Sequence, residues 1–363
     1  MKVLALTRYG PLAASTRQRI VQYRPALADA GIALTVAPLL NDDYVRGLVG
    51  SAPRRPGPIA AAYWHRWQWL RRARTFDLLW VYDELFPYLP GALERAAGRS
   101  GKPVVVDWDD AFFHVYDAHS SAVVRRLLGG KLAPLLESAA AVTCGNAYLQ
   151  RYASRYCERT LIVPTVVDTD RYGPDPALER RPAGPPVIGW IGSPSTWRNV
   201  RPLLPLLGAL VSAGRARFRA VGAGRAAEAK GFPGLEFVEW SEDSEIAEVQ
   251  AMDIGIMPLE DRPFEQGKCG YKLIQYMACA LPVVASPVGV NRTIVTPDCN
   301  GLLATTTDEW AAALDRLIDD PALRRRWGER GRERVVREYS LASQAPRLVE
   351  LFLSLRPPVA KAA

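Results

Sequence analysis

Twelve short apolar runs occur along the chain, and turn residues or segments with helical spacing separate each run from the next. The runs are rich in Val, Leu and Ile and do not alternate between polar and apolar positions. This pattern is typical of strands that are buried on both faces of a parallel sheet. The predicted strands are 3–6, 33–37, 78–82, 104–106, 141–143 and 161–163, followed by 187–191, 218–221, 235–238, 254–257, 282–285 and 302–304.

A proline-rich segment separates the two series of runs. Residues 173–186 contain five prolines and two glycines, which neither a helix interior nor a central strand accommodates. A length of 363 residues also fits about two domains. We therefore predict an α/β chain with two Rossmann-like, doubly wound parallel-sheet domains that face each other across a cleft. The predicted parts are an N-terminal domain (1–172), a linker (173–186), a C-terminal domain (187–339), and a final helix and tail (340–363).

The cysteines and the hydropathy pattern limit where the protein can work. The cysteines are odd in number and form no C-x-x-C pair, so neither a disulfide framework nor a zinc site is predicted. No apolar run approaches a membrane-spanning length, and the first one ends at Arg8, too early for a signal peptide. We expect a cytoplasmic protein that is soluble or lies on a membrane surface. The cysteines are Cys144, Cys157, Cys269, Cys279 and Cys299.

The segment 253–291 combines a glycine-bounded loop with a predicted helix. Gly267 and Gly270 enclose the loop, and residues 271–279 have helical spacing. A loop that enters a helix N-terminus offers backbone N–H groups and the positive end of the helix dipole, which suits a phosphate. Four polar or thiol side chains recur at i, i+4, i+7 and i+11, which predicts one shared helix face: Lys268, Lys272, Gln275 and Cys279.

This spacing suggests a binding site for a diphosphate. Lys268 and Lys272 would neutralise the diphosphate, and the amide of Gln275 would bond a hydroxyl group farther along the ligand. In the alternative interpretation both lysines lie on a solvated helix surface, where most lysines occur. A glycine–lysine pair next to a helix is a weak motif by itself.

The same segment strongly resembles the donor-binding region of the family 4 retaining glycosyltransferases, which have the GT-B fold. Many members carry two glutamates here in an E-x7-E pattern, and both are missing, since Gly267 and Gln275 occupy those positions. The sequence instead matches a branch with the pattern GK-x-G-x-KL-x-x-YMA-x-G-x-PVVASPVG-x-N, except for Ala280 in place of glycine. A left-handed alanine would cost about 1 kcal/mol, so we expect an altered helix end.

The resemblance covers most of the chain and implies further donor contacts. Relatives often have a G-R-L-x-x-x-K loop after the strand at 187–191, and Arg198 retains one of its two cations. By the same resemblance Trp240 walls the nucleobase pocket. In the alternative interpretation Arg198 is a surface arginine and Ser15 or Thr16 is a helix cap. The implied donor-binding residues are Gly192, Ser193, Trp240, Gly267, Gly270, Tyr271, Gln275, Ser15 and Thr16.

Three carboxylates follow the predicted strand 104–106. Relatives often have a His-Asp pair at this strand end, near the anomeric carbon, and Asp109 and Asp110 occupy those positions. Either could orient or deprotonate an acceptor hydroxyl, or bond the donor sugar. Asp107 and Asp109 also match the D-x-D signature of metal-dependent GT-A enzymes, although acids after a strand are more often caps or solvated loop residues. Further candidates for the acceptor side or the surface are Glu84, His114, Asp117 and His119.

The resemblance implies an enzyme that transfers a sugar from a nucleotide-diphosphate sugar to a hydroxyl of a glycan or lipid-linked acceptor. We expect retention of configuration, a role in polysaccharide or cell-surface glycan biosynthesis, and no metal or other cofactor. Lys272, Arg198 and Lys268 would stabilise the departing diphosphate, and Asp109 and Asp110 would serve the acceptor side. Two alternatives stay open: a non-catalytic nucleotide-sugar-binding scaffold and a nucleotide-sugar epimerase of similar architecture.

The formal net charge of +8 comes almost entirely from one segment. Residues 46–74 hold seven arginines and no acid, interleaved with Tyr63, Trp64, Trp67 and Trp69. This mixture suits an anionic membrane interface and not a nucleic acid. The alternative is a solvated helix whose tryptophans pack on the domain. The arginines are Arg46, Arg54, Arg55, Arg66, Arg71, Arg72 and Arg74.

Overall fold

The structure, a computed structural model, describes residues 1–44, 56–175, 177, 184–224 and 232–356. The chain divides into two compact units. Unit 1 consists of Met1–Thr165, Gly267–Cys269 and Gln344–Ala363, and unit 2 consists of Val166–Gln266 and Gly270–Ser343. Half of the predicted linker, 176 and 178–183, lies outside the described residues.

Unit 1 contains a six-stranded sheet in which all neighbouring strands are parallel. Every residue of β3, β4 and β5 is buried, which explains why their sequences are continuous apolar runs. The order is β2-β1-β3-β4-β5-β6, so the chain reverses its direction of winding between β1 and β3. The strands are β1 (Lys2–Tyr9), β2 (Ala33–Leu40), β3 (Leu78–Tyr82), β4 (Val104–Trp108), β5 (Ala141–Cys144) and β6 (Thr160–Ile162).

Unit 2 contains a second parallel six-stranded sheet with the order β12-β11-β10-β7-β8-β9. Its reversal of winding lies between β7 and β10. All twelve predicted strands are present, and the α/β class with two doubly wound sheets is confirmed. The strands are β7 (Val187–Ile191), β8 (Arg217–Val221), β9 (Leu235–Val238), β10 (Ile254–Met257), β11 (Val283–Ala285) and β12 (Gly301–Leu303).

Helices connect the strands within each unit. In unit 1 they are α1 (Ala14–Arg19), α2 (Arg24–Asp29), α3 (Pro56–Arg72), α4 (His114–Asp117), α5 (Ala122–Leu128), α6 (Ala133–Glu137) and α7 (Ala147–Ala153). In unit 2 they are α8 (Leu204–Ser212), α9 (Glu245–Gln250), α10 (Pro263–Gln266), α11 (Tyr271–Ala278), α12 (Asn291–Ile294), α13 (Thr307–Asp319) and α14 (Pro321–Glu338). The last helix, α15 (Leu341–Ser354), belongs mostly to unit 1. Short 3-10 helices are Val21–Tyr23, Ala73–Thr75, Gly91–Ala96, Gly98–Ser100, Trp197–Asn199 and Arg201–Leu203.

A buried ion pair joins α1 to β4. Arg19 Nε and Nη2 donate to the two carboxylate oxygens of Asp107 at 2.9 and 2.5 Å, and Nη1 donates to the carbonyl of Val163 at 2.8 Å. The Thr143 hydroxyl also donates to Asp107. Because both charges are buried, removing one partner would leave an uncompensated charge at a cost of about 3–5 kcal/mol. The pair therefore fixes the position of α1 over the sheet.

Helix α3 carries the described part of the basic and aromatic segment. Trp64 and Trp67 are exposed on it. Arg66, expected in the exposed basic patch, is instead buried and donates to the Thr7 carbonyl. Burial lowers the pKa of Arg66 to about 10. Arg46, Arg54 and Arg55 lie outside the described residues. Among the helices in the described ranges, none is long and apolar enough to cross a bilayer.

The expectation that Ala280 alters the helix end is wrong. Helix α11 ends in a Schellman motif, in which Leu281 N donates to the Tyr276 carbonyl at 3.0 Å and Ala280 N to the Met277 carbonyl at 2.9 Å. Ala280 adopts a φ of 59°, the left-handed conformation that glycine provides in the related pattern. The two capping hydrogen bonds hold the backbone in place, so the alanine is strained and the motif is kept.

We predict that Ala280→Gly raises the free energy of unfolding by about 1 kcal/mol, because glycine has no Cβ to strain at positive φ. Chemical denaturation of the two proteins measures this difference. Ala213→Gly is the matched control, since Ala213 is the C-cap of α8 with a φ of −78°, where glycine relieves no strain and should not raise stability. Equal losses in both variants would contradict the account.

Candidate functional site

In unit 2 the candidate residues lie beyond the carboxyl ends of the strands, where open α/β sheets bind ligands. Gly192 and Ser193 follow β7, which flanks the reversal of winding. The strand on the other side of the reversal is β10. After β10 in the chain, α11 begins at Tyr271 and has Gly270 as its N-cap. Gly270 has a φ of 67°, and a Cβ there would lie 2.4 Å from the Ile294 side chain, so glycine is favoured at this position.

Two cations lie at this edge of unit 2. Lys272 is in the first turn of α11, and its Nζ lies 5.8 Å from the ring centroid of Trp190 in β7. Arg198 follows β7, and its Nη2 donates to Glu265 Oε1 at 2.6 Å. The Arg198 side chain is 53% exposed, whereas that of Glu265 is 1% exposed. A buried carboxylate thus orients an arginine that stays accessible to a ligand.

Glu265 was missed by the sequence analysis. The comparison with the family placed the expected glutamate at Gly267, two residues farther along the chain. A Cβ at Gly267 would lie 2.4 Å from the Ala111 Cβ, so no glutamate fits there. Glu265 lies two residues before the position where the family pattern has a glutamate, and this short distance is a sequence signal that could have identified it.

Lys268 does not share a helix face with Lys272, contrary to the prediction. Helix α11 begins only at Tyr271, and Gly267–Cys269 belong to unit 1. The Asn146 side-chain amide donates to the carbonyls of Gly267 and Lys268 at 2.8 and 3.2 Å. These bonds, with the left-handed Gly270, hold the loop in a non-helical path.

Unit 1 brings Lys268 together with the predicted acids. Lys268 Nζ lies 3.5 Å from Asp110 Oδ1. The Cys269 thiol donates to the Asp109 carbonyl at 2.9 Å, and the Tyr82 hydroxyl donates to Asp109 Oδ1 at 2.5 Å. Burial and the neighbouring Asp110 raise the pKa of Asp109 to about 7. A carboxyl that exchanges its proton near neutral pH is suited to acid–base chemistry.

The D-x-D interpretation does not fit the structure. Asp107 is 1% exposed, and Arg19 and Thr143 occupy its two oxygens. Within the described ranges, no group of three or more His, Cys, Asp or Glu side chains is placed to hold a metal ion. Asp107 therefore has a structural role in unit 1.

Gln275 and Trp240 meet at a buried glutamate. Trp240 Nε1 donates to Glu245 Oε2 at 2.6 Å, and Gln275 Nε2 donates to Glu245 Oε1 at 3.1 Å. Gln275 Nε2 also lies 3.1 Å from the Tyr172 hydroxyl, which donates to Glu245. In this structure the Gln275 amide is therefore engaged within the protein, and its contact with a ligand stays a prediction.

The loop after β1 and the histidines make local contacts. Helix α1 has Ala13 as its N-cap, so neither Ser15 nor Thr16 is the cap; the Thr16 hydroxyl instead donates to the Tyr9 carbonyl at 2.9 Å. His114 contacts Asp117 and the Tyr148 hydroxyl at 2.7 and 2.8 Å. His119 Nδ1 accepts from Ser121 N at 3.0 Å. The two histidines thus have different partners.

One family model matches a part of the chain that lies mostly in unit 2. The family model described as "Glycosyl transferases group 1" matches residues 185–320. This range includes Gly192, Arg198, Trp240 and Lys272. A similar curated protein is the MMP alpha-(1->4)-mannosyltransferase of Mycolicibacterium hassiacum, 38% identical over 82 residues, which are 22% of this chain and 20% of that protein. The match thus spans about a fifth of the length of this relative.

Solved structures show the fold over nearly the whole chain. Sucrose-phosphate synthase from Thermosynechococcus elongatus has a TM-score of 0.70 at 17% identity, with 98% of each chain covered. HepE from Anabaena, solved in complex with UDP-glucose, has a TM-score of 0.71 at 15% identity, with 98% of this chain and 100% of that chain covered. At these identities the likeness is one of fold, that of GT-B glycosyltransferases.

We predict that Asp109→Asn stabilises the protein relative to the wild type as the pH rises from 5 to 8. Because folding raises the Asp109 pKa to about 7, the folded state binds the proton more tightly than the unfolded state. This contribution to stability is present at acidic pH and is lost as the pH rises through 7. Melting temperatures of both proteins across this range test the claim, and a difference independent of pH would contradict it.

Proposed function

We propose that the protein is a glycosyltransferase that moves a sugar from a nucleotide-diphosphate sugar to a hydroxyl group, with retention of anomeric configuration. The observation that carries the proposal is the placement of Arg198, Lys272 and the α11 N-terminus at the reversal of winding of the second sheet. All three lie within the range that matches the glycosyltransferase family. Retention rests on the resemblance of the segment 253–291 to retaining enzymes.

The departing nucleoside diphosphate is the group that this arrangement would stabilise. Negative charge grows on the diphosphate as its bond to the sugar breaks, and fixed positive groups lower the barrier when they face that charge. Lys272 and Arg198 supply two such cations, and the first turn of α11 supplies the positive end of a helix dipole. Gly192 and Ser193, in the loop between β7 and Arg198, would bond the phosphates.

The acceptor would react at unit 1. Asp109, with its pKa raised to about 7, would accept the proton of the acceptor hydroxyl, and Lys268 would pair with Asp110 beside it. We propose that transfer needs no metal ion or other cofactor, because Lys272 and Arg198 would neutralise the negative charge of the departing diphosphate. A glycan or lipid-linked acceptor in polysaccharide or cell-surface glycan biosynthesis fits this proposal.

Lys272→Ala should lower the rate of transfer from the preferred nucleotide sugar by about a hundredfold or more, as loss of one such donor does. Lys102→Ala, in the loop before β4, is the matched control and should retain full activity. The assay measures nucleoside diphosphate release with a panel of acceptors, with and without EDTA.

Wild-type turnover in Lys272→Ala would contradict the donor assignment, and strict dependence on added Mn²⁺ would contradict the metal-free reaction. Donor binding without any turnover would favour the scaffold alternative. Conversion of the donor sugar into its epimer without an acceptor would favour the epimerase.

We further propose that unit 1 contacts the cytoplasmic face of an anionic membrane. Trp64 and Trp67 are 57% and 39% exposed. The ring centroid of Trp67 lies 6.5 Å from that of Phe86. Tyr88, two residues after Phe86 in the chain, is also exposed. Arg71 and Arg72 form the last turn of α3. Aromatic rings beside arginines suit a headgroup layer, where each arginine contributes about 1 kcal/mol.

We predict that the Trp64→Ser, Trp67→Ser double variant loses most of its binding to vesicles of anionic phospholipid, while the protein stays folded. Co-sedimentation with vesicles at low salt measures the bound fraction. Val336→Ser is the control, because Val336 is an exposed apolar residue of unit 2 outside this surface, and it should bind as the wild type. Equal binding by all three proteins, or none by the wild type, would contradict membrane contact.

A further inference from the structure

The first sheet has its own reversal of winding, between β1 and β3, and three charged residues lie beside it. Arg8 is near the carboxyl end of β1, and Asp83 and Glu84 directly follow β3. Ligands of open α/β sheets bind at such positions. Arg8 and Glu84 have no role in the donor chemistry proposed above, and Asp83 was not singled out by the sequence analysis.

Asp83 is held in a strained conformation. Its φ is 65°, which few residues other than glycine adopt, and it is 2% exposed. Its backbone is fixed on both sides, since Asp83 N donates to the Asp107 carbonyl at 3.1 Å and Trp108 Nε1 donates to the Asp83 carbonyl at 2.9 Å. Nevertheless Asp83 Oδ1 is buried without a hydrogen-bond partner. A strained, fixed backbone that presents an unpaired oxygen is typical of a functional position.

Glu84 also presents an unpaired oxygen. Its Oε2 accepts from Lys131 Nζ at 2.5 Å and from the Tyr116 hydroxyl at 2.7 Å. Its Oε1 is buried and accepts no hydrogen bond, although Arg8 Nη1 lies 3.7 Å away. The Lys131 ammonium is fully engaged, because it also donates to Glu94 and to the Phe86 carbonyl, both at 2.9 Å. Glu84 is thus fixed through one oxygen, whereas the other is buried without a hydrogen bond.

Unpaired donors accompany these unpaired acceptors. Arg8 Nε is buried without a partner, and so are Nε and Nη1 of Arg66, whose Nη2 donates to the carbonyl of Thr7 next to Arg8. Burial and the neighbouring Asp109 raise the pKa of Asp83 well above its usual range, so this carboxyl can donate a hydrogen bond as well as accept one. A hydroxyl group is neutral and both donates and accepts, so it can pair with both kinds of atom.

We propose that Asp83, Glu84 and Arg8 form a subsite for adjacent hydroxyl groups of a neutral polyol, such as an unphosphorylated sugar ring. That this polyol belongs to the acceptor rests on the function proposed above. The subsite selects against acceptors that carry a phosphate or carboxylate at these hydroxyls, because the added charge would lose its hydration beside the buried Asp83 and Glu84 side chains.

The test is ligand binding by saturation-transfer NMR on the full chain without any nucleotide. D-glucose and D-mannose are the neutral probes, and their 6-phosphates and D-glucuronate are the anionic ones. We expect transfer to at least one neutral sugar and at least about tenfold weaker binding of each anionic probe.

Asp83→Asn is the diagnostic variant, because asparagine tolerates positive φ and keeps the size of the side chain while it replaces the carboxyl group by an amide. It should weaken binding of the neutral sugar by about tenfold, as expected for loss of the hydrogen bond that the buried carboxyl makes to a sugar hydroxyl. Asp77→Asn, just before the amino end of β3, is the control and should bind as the wild type.

Unchanged binding of the neutral sugar in Asp83→Asn, equal or tighter binding of an anionic probe by the wild type, or no binding of any neutral probe would each overturn the proposal. Because no nucleotide is present, these failures are distinguishable from failure of the donor assignment, which the Lys272→Ala turnover tests separately.

Discussion

Parallel strand pairing is the constraint on which the rest of this structure depends. In each of the two sheets every neighbouring pair is parallel, so each connection must cross a face of the sheet, and most of the described connections carry a helix. The strand ends that share a direction then collect at one edge. Each sheet reverses its winding once, at β1/β3 and at β7/β10. Asp83 and Glu84 follow β3, and Gly192, Ser193 and Arg198 follow β7, beside these two points.

Buried charge distinguishes the two edges. In unit 1 the pairs of Arg19 with Asp107 and of Lys131 with Glu84 and Glu94 lie out of solvent. Such pairs add little net stability, but they fix geometry, since each partner would be costly to leave alone. In unit 2 the buried Glu265 holds an Arg198 that remains exposed. One edge is thus suited to directional hydrogen bonds with hydroxyls, and the other presents accessible positive charge.

The sequence predicted the fold well, because burial on both faces of a strand leaves a local signal. Continuous runs such as 78–82 and 187–191 coincide with β3 and β7. Helical spacing correctly predicted α11 but wrongly extended the shared face to Lys268, since the carbonyl contacts of Asn146 are not local in sequence. Arg66 shows the same limit, because composition does not reveal that one arginine of a basic segment is buried.

Parts of the candidate site depend on contacts that no short motif contains. Glu265 is part of the candidate site only because it accepts a hydrogen bond from Arg198, which is 67 positions away in the chain. Asp83 stands out only through its positive φ and its unpaired oxygen, neither of which the sequence displays. By contrast, Lys272 and Gly270 were found because a loop followed by a helix is a local pattern with a known affinity for phosphate.

The central claim is that the edge of unit 2 at β7 and β10 binds a nucleoside diphosphate. Thermal unfolding of the wild type with UDP, GDP and dTDP, each compared with its own monophosphate, and with CMP, tests it most directly. The account predicts that at least one diphosphate stabilises the protein, by about 2.7 kcal/mol at one hundred times its dissociation constant, whereas its monophosphate has a much smaller effect. No stabilisation by any of these diphosphates, or equal stabilisation by the matching monophosphate, would contradict the account.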